Sequence, residues 1–191
     1  MSAQSKQQSQ TGHHLFDTAL GICGVAWNAR GLVAVQLPEK TRAATERRLA
    51  ARAGSAGAAA PPAWVEALVA DIRKYLAGER VDFSAVAVDL ESLEPFRQRL
   101  YAALRETPFG STTTYGELAQ RLGLRDPQAA RDVGAAMGRN PMPLVIPCHR
   151  VLAAGGKLGG FSAYGGTTTK EALLTLEGVR RDGGAPRLPG L

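Results

Sequence analysis

Two cysteines in 191 residues, Cys23 and Cys148, are too few for a disulfide framework, so a reducing compartment is expected and each thiol must be judged by its neighbours. Histidine is nearly as scarce. There are three, and no pairing of Cys with His has the spacing of a structural zinc site, so no metal is expected. The longest charge-free stretches, 53–65 and 18–29, fall short of the roughly 18–20 apolar residues of a spanning helix, so no membrane partner is expected. Residues 1–14 lack the apolar core of a signal peptide and read as a polar, disordered tail, which predicts a cytoplasmic location. A dinucleotide fingerprint, a phosphate-binding loop, a paired-carboxylate site and a Ser-centred elbow are all missing, and no cofactor is expected. What remains is an ordinary globular composition, 45% hydrophobic and 21% charged, with a net charge of +6. That charge fits a polyanion partner, but by itself does not separate nucleic acid from anionic membrane or plain solubility.

The pattern of elements changes near Ser92. Before it, the apolar runs 19–27 and 31–37 flank Asn28-Ala29-Arg30-Gly31 as a hairpin, and Glu39–Arg52 has the pattern of a basic helix. An Ala/Gly/Ser stretch then leads to Pro61-Pro62 and to a second helix marked by Trp64, Leu68, Ile72 and Tyr75 at helical spacing. Val86–Leu90 reads as a short strand. After Ser92 come helices with short connections: one carrying Phe96, Leu100 and Leu104, a short one over 115–122, and one capped by Asp126 with Pro127 at its first position. The last two, joined by a Gly-containing turn, have the pattern of a helix-turn-helix. Their small residues Ala129, Ala130 and Gly134 suit either close approach to DNA or tight helix packing. The predicted division is a tail over 1–14, an α/β domain over 15–92, a mostly α domain over 93–182 and a flexible C-terminal tail over 183–191.

The chemistry concentrates in Asn140–Val151, where an apolar approach strand ends in Pro147-Cys148-His149-Arg150. A thiol beside a histidine and an arginine suits an activated nucleophile, although a structural cysteine with coincidental neighbours remains open at this point. Cys23 lies in an apolar pattern without a basic neighbour and is expected to be a buried structural thiol.

Pro147-Cys148-His149-Arg150-Val151, with Asn140-Pro141 and the helix 130–137 before it, resembles the O6-alkylguanine-DNA alkyltransferases, which move an alkyl group from guanine to their own cysteine. The resemblance is close over 95–179 and looser over 15–92. It implies a ribonuclease-H-like α/β domain followed by a winged helix-turn-helix domain, acting as a monomer on double-stranded DNA that carries O6-alkylguanine, with O4-alkylthymine as a further candidate substrate. It implies Cys148 as alkyl acceptor, His149 as base through a bridging water, and Glu177 as the acid that orients that histidine. Arg131 matches the finger that replaces the flipped nucleotide and Tyr115 the tyrosine that rotates it. The Ser162 backbone would bond the guanine oxygen, Asn140 would tie the turn, and Pro143, Val151 and Phe161 would wall the pocket. Ala129, Ala130 and Gly134 would face DNA, and Arg150 is assigned to structure. Three departures stand out: a longer turn over 123–127, the anion Asp132 beside the finger, and about two extra residues in Phe161–Gly166. The rival readings are a non-enzymatic protein that flags alkylated DNA and a winged-helix transcription regulator; the latter leaves Cys-His-Arg without a purpose.

Overall fold

The computed structural model describes residues 11–54 and 57–179. The N-terminal half is built on a three-stranded antiparallel sheet, β1 (Gly12–Thr18), β2 (Gly21–Asn28) and β3 (Gly31–Gln36), in sequence order. Period-two alternation divides β2 between two faces. Cys23, Val25 and Trp27 enter the main core, while Gly24 and Ala26 face helix α1 (Arg42–Ala53). The small residues are a steric requirement, since a Cβ at Gly24 would stand 2.6 Å from Leu49 Cδ2 on α1. Thr41 caps α1 by accepting from Ala44 N at 3.2 Å. Helix α2 (Ala63–Leu76) buries Val65, Leu68, Ile72 and Tyr75 against the main core.

Two expectations for this half need correction. The polar tail does not reach residue 14. Gly12–His14 belong to β1, where His13 N donates to Gly57 O and Ala59 N to His13 O, both at 3.1 Å, so backbone pairing on both sides outweighs the polar composition. Residues 1–10 and the tail 183–191 lie outside the described residues. Val86–Leu90 forms a single bridge, Leu32 to Val88, because the chain turns away at once toward the next helix.

The C-terminal half comprises α3 (Pro95–Arg105), β4 (Thr113–Thr114), α4 (Tyr115–Arg121), α5 (Ala129–Met137), β5 (Val151–Leu152) and α6 (Thr167–Leu176). Thr114 and Glu117 form a reciprocal capping box that fixes where α4, and therefore Tyr115, begins. Asp126 closes a turn ahead of α5 instead of capping it, taking Gln128 N at 2.6 Å on its side chain and Ala129 N at 3.0 Å on its carbonyl. The two halves share one core, and Val35 N on β3 donates to Pro141 O at 3.0 Å. No helix among the described residues is long and apolar enough to cross a membrane.

Candidate active site

The expected approach strand before Cys148 is a compact turn. Leu144 takes a positive φ of 74°, Ile146 N donates to Met142 O, and the buried Asn140 side chain spans the loop. Its Nδ2 donates to Ile146 O at 2.8 Å and its Oδ1 accepts from Met142 N at 3.0 Å. Pairing within the turn thus replaces a sheet ladder that has no neighbouring strand to form on. Cys148–Arg150 then make one turn of 3-10 helix that puts Cys148 at a cavity and turns His149 and Arg150 together toward Glu177.

Cys148 borders an open cavity of about 420 Å³ shared with Tyr115, Gly134, Met137, Gly138, Gly160, Phe161 and Ser162. The opening is of the size of small-molecule sites. Tyr115 reaches it because Gly159 is a glycine with φ of 65°, where a Cβ would stand 2.9 Å from the tyrosine oxygen. Burial pushes the Cys148 thiol up, and the Asn140 side chain and the charges of Lys170 and Arg52 offset only part of that. The resting group is therefore a thiol that needs a base, rather than a ready thiolate.

His149 and Arg150 point into the interior and meet at Glu177, just beyond α6. His149 Nε2 lies 2.8 Å from Glu177 Oε1, and Arg150 donates through Nε to Oε2 at 2.9 Å and through Nη2 to Oε1 at 2.8 Å. Gly110 N donates to Oε2 at 3.0 Å. Burial by itself would raise the Glu177 carboxyl, but the hydrogen bonds from His149, Arg150 and Gly110 outweigh it and hold it far below the ordinary carboxylate range. Because Glu177 is ionised, Nε2 is the protonated nitrogen of His149. Its Nδ1 is buried and has no hydrogen-bond partner among the described residues. Burial lowers the imidazole's pKa more than Glu177 raises it, so His149 is neutral near pH 7 and can accept a proton.

The structure therefore brings Cys148, Tyr115, Phe161 and Ser162 to one cavity, while His149 and Glu177 pair in the interior. Pro143 and Asn140 line a small recess that shares Cys148, Phe161 and Ser162 with this cavity, together with Arg52 from α1. Val151 does not wall the cavity: it is fully buried and pairs with Thr113 across β4 and β5. Ala129 does not face outward either, since at 5% exposure it packs into the core, while Ala130 is half-buried and Gly134 lies against the Tyr115 ring. Arg131 is exposed on α5 and donates to Gln128 Oε1 at 3.1 Å. Cys23 is sealed in the core, its thiol pushed up to about 12 by burial.

Three residues near the site escaped the sequence reading. Tyr75 sits among apolar helical neighbours and looks like a core position; Lys170, between Thr167–Thr169 and Glu171, looks solvated, and Arg52 looks like one more charge on a basic helix. The usable signal was the polar group itself on a buried face. Lys170 is fully buried and donates from Nζ to Val151 O and Leu158 O, both at 2.5 Å, which ties the glycine-rich segment 155–160 to α6.

Comparison with known proteins gives consistent results. The family model for the ribonuclease-like domain of 6-O-methylguanine DNA methyltransferase matches residues 12–90, and the model for its DNA-binding domain matches residues 95–179. The methylated-DNA–protein-cysteine methyltransferase of Methanothermobacter thermautotrophicus is 34% identical over 160 residues, covering 84% of this chain and 81% of that protein. Its namesake from Mycobacterium tuberculosis is 46% identical over 112 residues, covering 59% of this chain. That alignment spans 64% of the mycobacterial protein's length. The crystal structure of Mycobacterium tuberculosis OGT in complex with DNA superposes with a TM-score of 0.69 at 35% identity, covering 87% of this chain and 92% of that one.

Proposed function

The chain belongs to the 6-O-methylguanine DNA methyltransferase family, and from that premise we propose that it repairs DNA by direct reversal, moving the alkyl group of O6-alkylguanine onto its own Cys148. The observation that carries this reading is a buried thiol at an open cavity, backed by a neutral histidine whose other nitrogen is committed to a carboxylate. Nδ1 of His149 takes the thiol proton through a bridging water. The sulfur attacks the alkyl carbon in line, the S–C bond forms as the C–O6 bond breaks, and the electron pair stays on guanine, which is protonated as it leaves. Nothing then removes the thioether, so each molecule acts once.

A thiol at this depth cannot reach a stacked base, so the nucleotide must be turned out of the duplex. In this reading α4 and α5 form the helix-turn-helix of a winged domain. Arg131 fills the place of the extruded nucleotide, Tyr115 guides the base, and the Ser162 N–H receives the guanine oxygen. The protein acts as a monomer on double-stranded DNA. Intact-mass measurement after mixing with an O6-methylguanine duplex tests this: one methyl group gained per molecule, on Cys148, is the expected result. Repeated turnover, modification mainly of Cys23, or DNA binding with no gain in mass would overturn the proposal.

A further inference from the structure

Tyr75 belongs to the N-terminal half, yet its hydroxyl ends inside the His149–Glu177 pair of the C-terminal half. It donates to Glu177 Oε1 at 2.7 Å and lies 3.2 Å from His149 Nε2. The side chain is 1% exposed. Its ring is held edge-on by Phe83 and Phe109, with centroids 5.6 and 6.1 Å away. A hydroxyl this deep in an apolar cluster is costly to bury unless its hydrogen bond is made, so the hydroxyl does something a phenylalanine ring would not.

We propose that Tyr75 is a positioning residue for the alkyl transfer, sharing the Glu177 oxygen with His149 and thereby setting how basic the imidazole is. The carboxylate has a limited capacity to accept hydrogen bonds. Oε1 receives Tyr75, His149 and Arg150, while Oε2 receives Arg150 and Gly110, so the lone-pair directions of Glu177 are used up. Every donor on Oε1 draws negative charge away from the bond to Nε2–H. With less charge on its partner oxygen, the imidazolium is less stabilised, and His149 stays neutral and ready to take a proton. The phenol remains a donor throughout, because burial first, and then the charge and hydrogen bond of Glu177, hold its own ionisation well above the ordinary range. The other charges bearing on His149 are Arg150 from the same turn and Lys170 from α6, and both act against its protonation. Tyr75 works in the same direction from a different domain.

This inference rests on the alkyl-transfer reading for one of its two readouts and stands apart from it for the other. Single-turnover methyl transfer is followed across the histidine range for wild type and Tyr75→Phe, a change that keeps the ring contacts. Without the hydroxyl, Glu177 pairs more strongly with His149, and the rising limb of the rate profile should move up by about half to one pH unit. The variant is then several-fold slower near pH 6 and matches wild type at the alkaline end. Fluorotyrosine placed at position 75 keeps ring and hydroxyl but donates more strongly, and should move the limb the other way. It serves equally if the Phe variant folds poorly. A merely structural tyrosine would lower the melting temperature or the rate at every pH alike, and profiles that superpose after scaling would overturn the proposal. The second readout is the titration of His149 followed by NMR. It needs no methyl transfer, so an inactive wild type would strike the functional reading and leave Tyr75 to be judged there: the same shift supports its role, and an unmoved titration refutes it.

Discussion

Glu177 accepts hydrogen bonds from Tyr75, His149, Arg150 and Gly110, and its side chain is fully buried. One residue thus serves both as partner of the histidine and as counter-charge for a buried guanidinium. Removing its charge by Glu177→Gln leaves Arg150 without compensation and aims amide hydrogens at donors. Breaking a buried pair in this way costs about 3–5 kcal/mol, so the variant should lose stability as well as transfer rate. The sign with pH follows from the carboxyl's depressed pKa in the folded state. The stabilisation is complete above the unfolded carboxyl's value of about 4.3 and fades as pH falls through the folded one. Urea unfolding of both proteins should show a constant gap from neutrality down to about pH 5, narrowing only in more acid solution. A gap independent of pH down to acid unfolding would show that shape, not charge, is lost.

At the scale of elements, Phe161–Gly166 divides its residues between two openings. Phe161 and Ser162 border the Cys148 cavity, whereas Tyr164, 52% exposed, lines a separate recess with Leu20, Ile22, Leu37 and the start of α1. Arg48 of α1 donates to Ser162 O at 3.2 Å and holds the segment from the N-terminal side. Size tolerance should therefore follow Phe161. Truncating it to Ala should change the ratio of benzyl to methyl transfer by several-fold, within the roughly 1–3 kcal/mol per methylene that apolar walls supply, while Tyr164→Ala leaves the ratio unchanged. A changed ratio for Tyr164→Ala with none for Phe161→Ala would place the aromatic wall at Tyr164 instead. The same segment marks where sequence patterns stop being informative. Helices with apolar faces and the hairpin around Asn28–Gly31 were legible because each carries its own periodicity or turn chemistry. The two-residue strands β4 and β5, the compact turn before Cys148 and the side chain of Tyr75 depend on partners far along the chain, and no local pattern encodes them. Cys148, His149 and Glu177 were legible through the Cys-His-Arg motif and the resemblance it carries, not through spacing, since His149 and Glu177 are 28 residues apart.

At the scale of the whole molecule, the +6 charge and the exposed face of α5 bear on one step of the proposed repair, taking a base out of duplex DNA. Phosphate contacts supply affinity without reading sequence, so binding should weaken with salt and vary little with flanking bases. Extrusion needs something more, because the vacated stack costs a few kcal/mol unless it is filled. Arg131 is the long exposed side chain beside the small residues Ala130 and Gly134, and it is tethered only loosely, through Gln128 at the start of its own helix. Asp132, exposed next to it, weakens any purely electrostatic role for that position, and the filling role proposed for Arg131 can be tested separately. Arg131→Ala should then slow transfer from an O6-methylguanine duplex by an order of magnitude or more, taking about 1.4 kcal/mol of lost filling per factor of ten. Reaction with the free base, O6-benzylguanine, has no stack to open and should keep its rate. Comparing the two substrates on the same preparation separates extrusion from chemistry: equal losses on both would mean that Arg131 acts on the Cys148 cavity and not on the duplex.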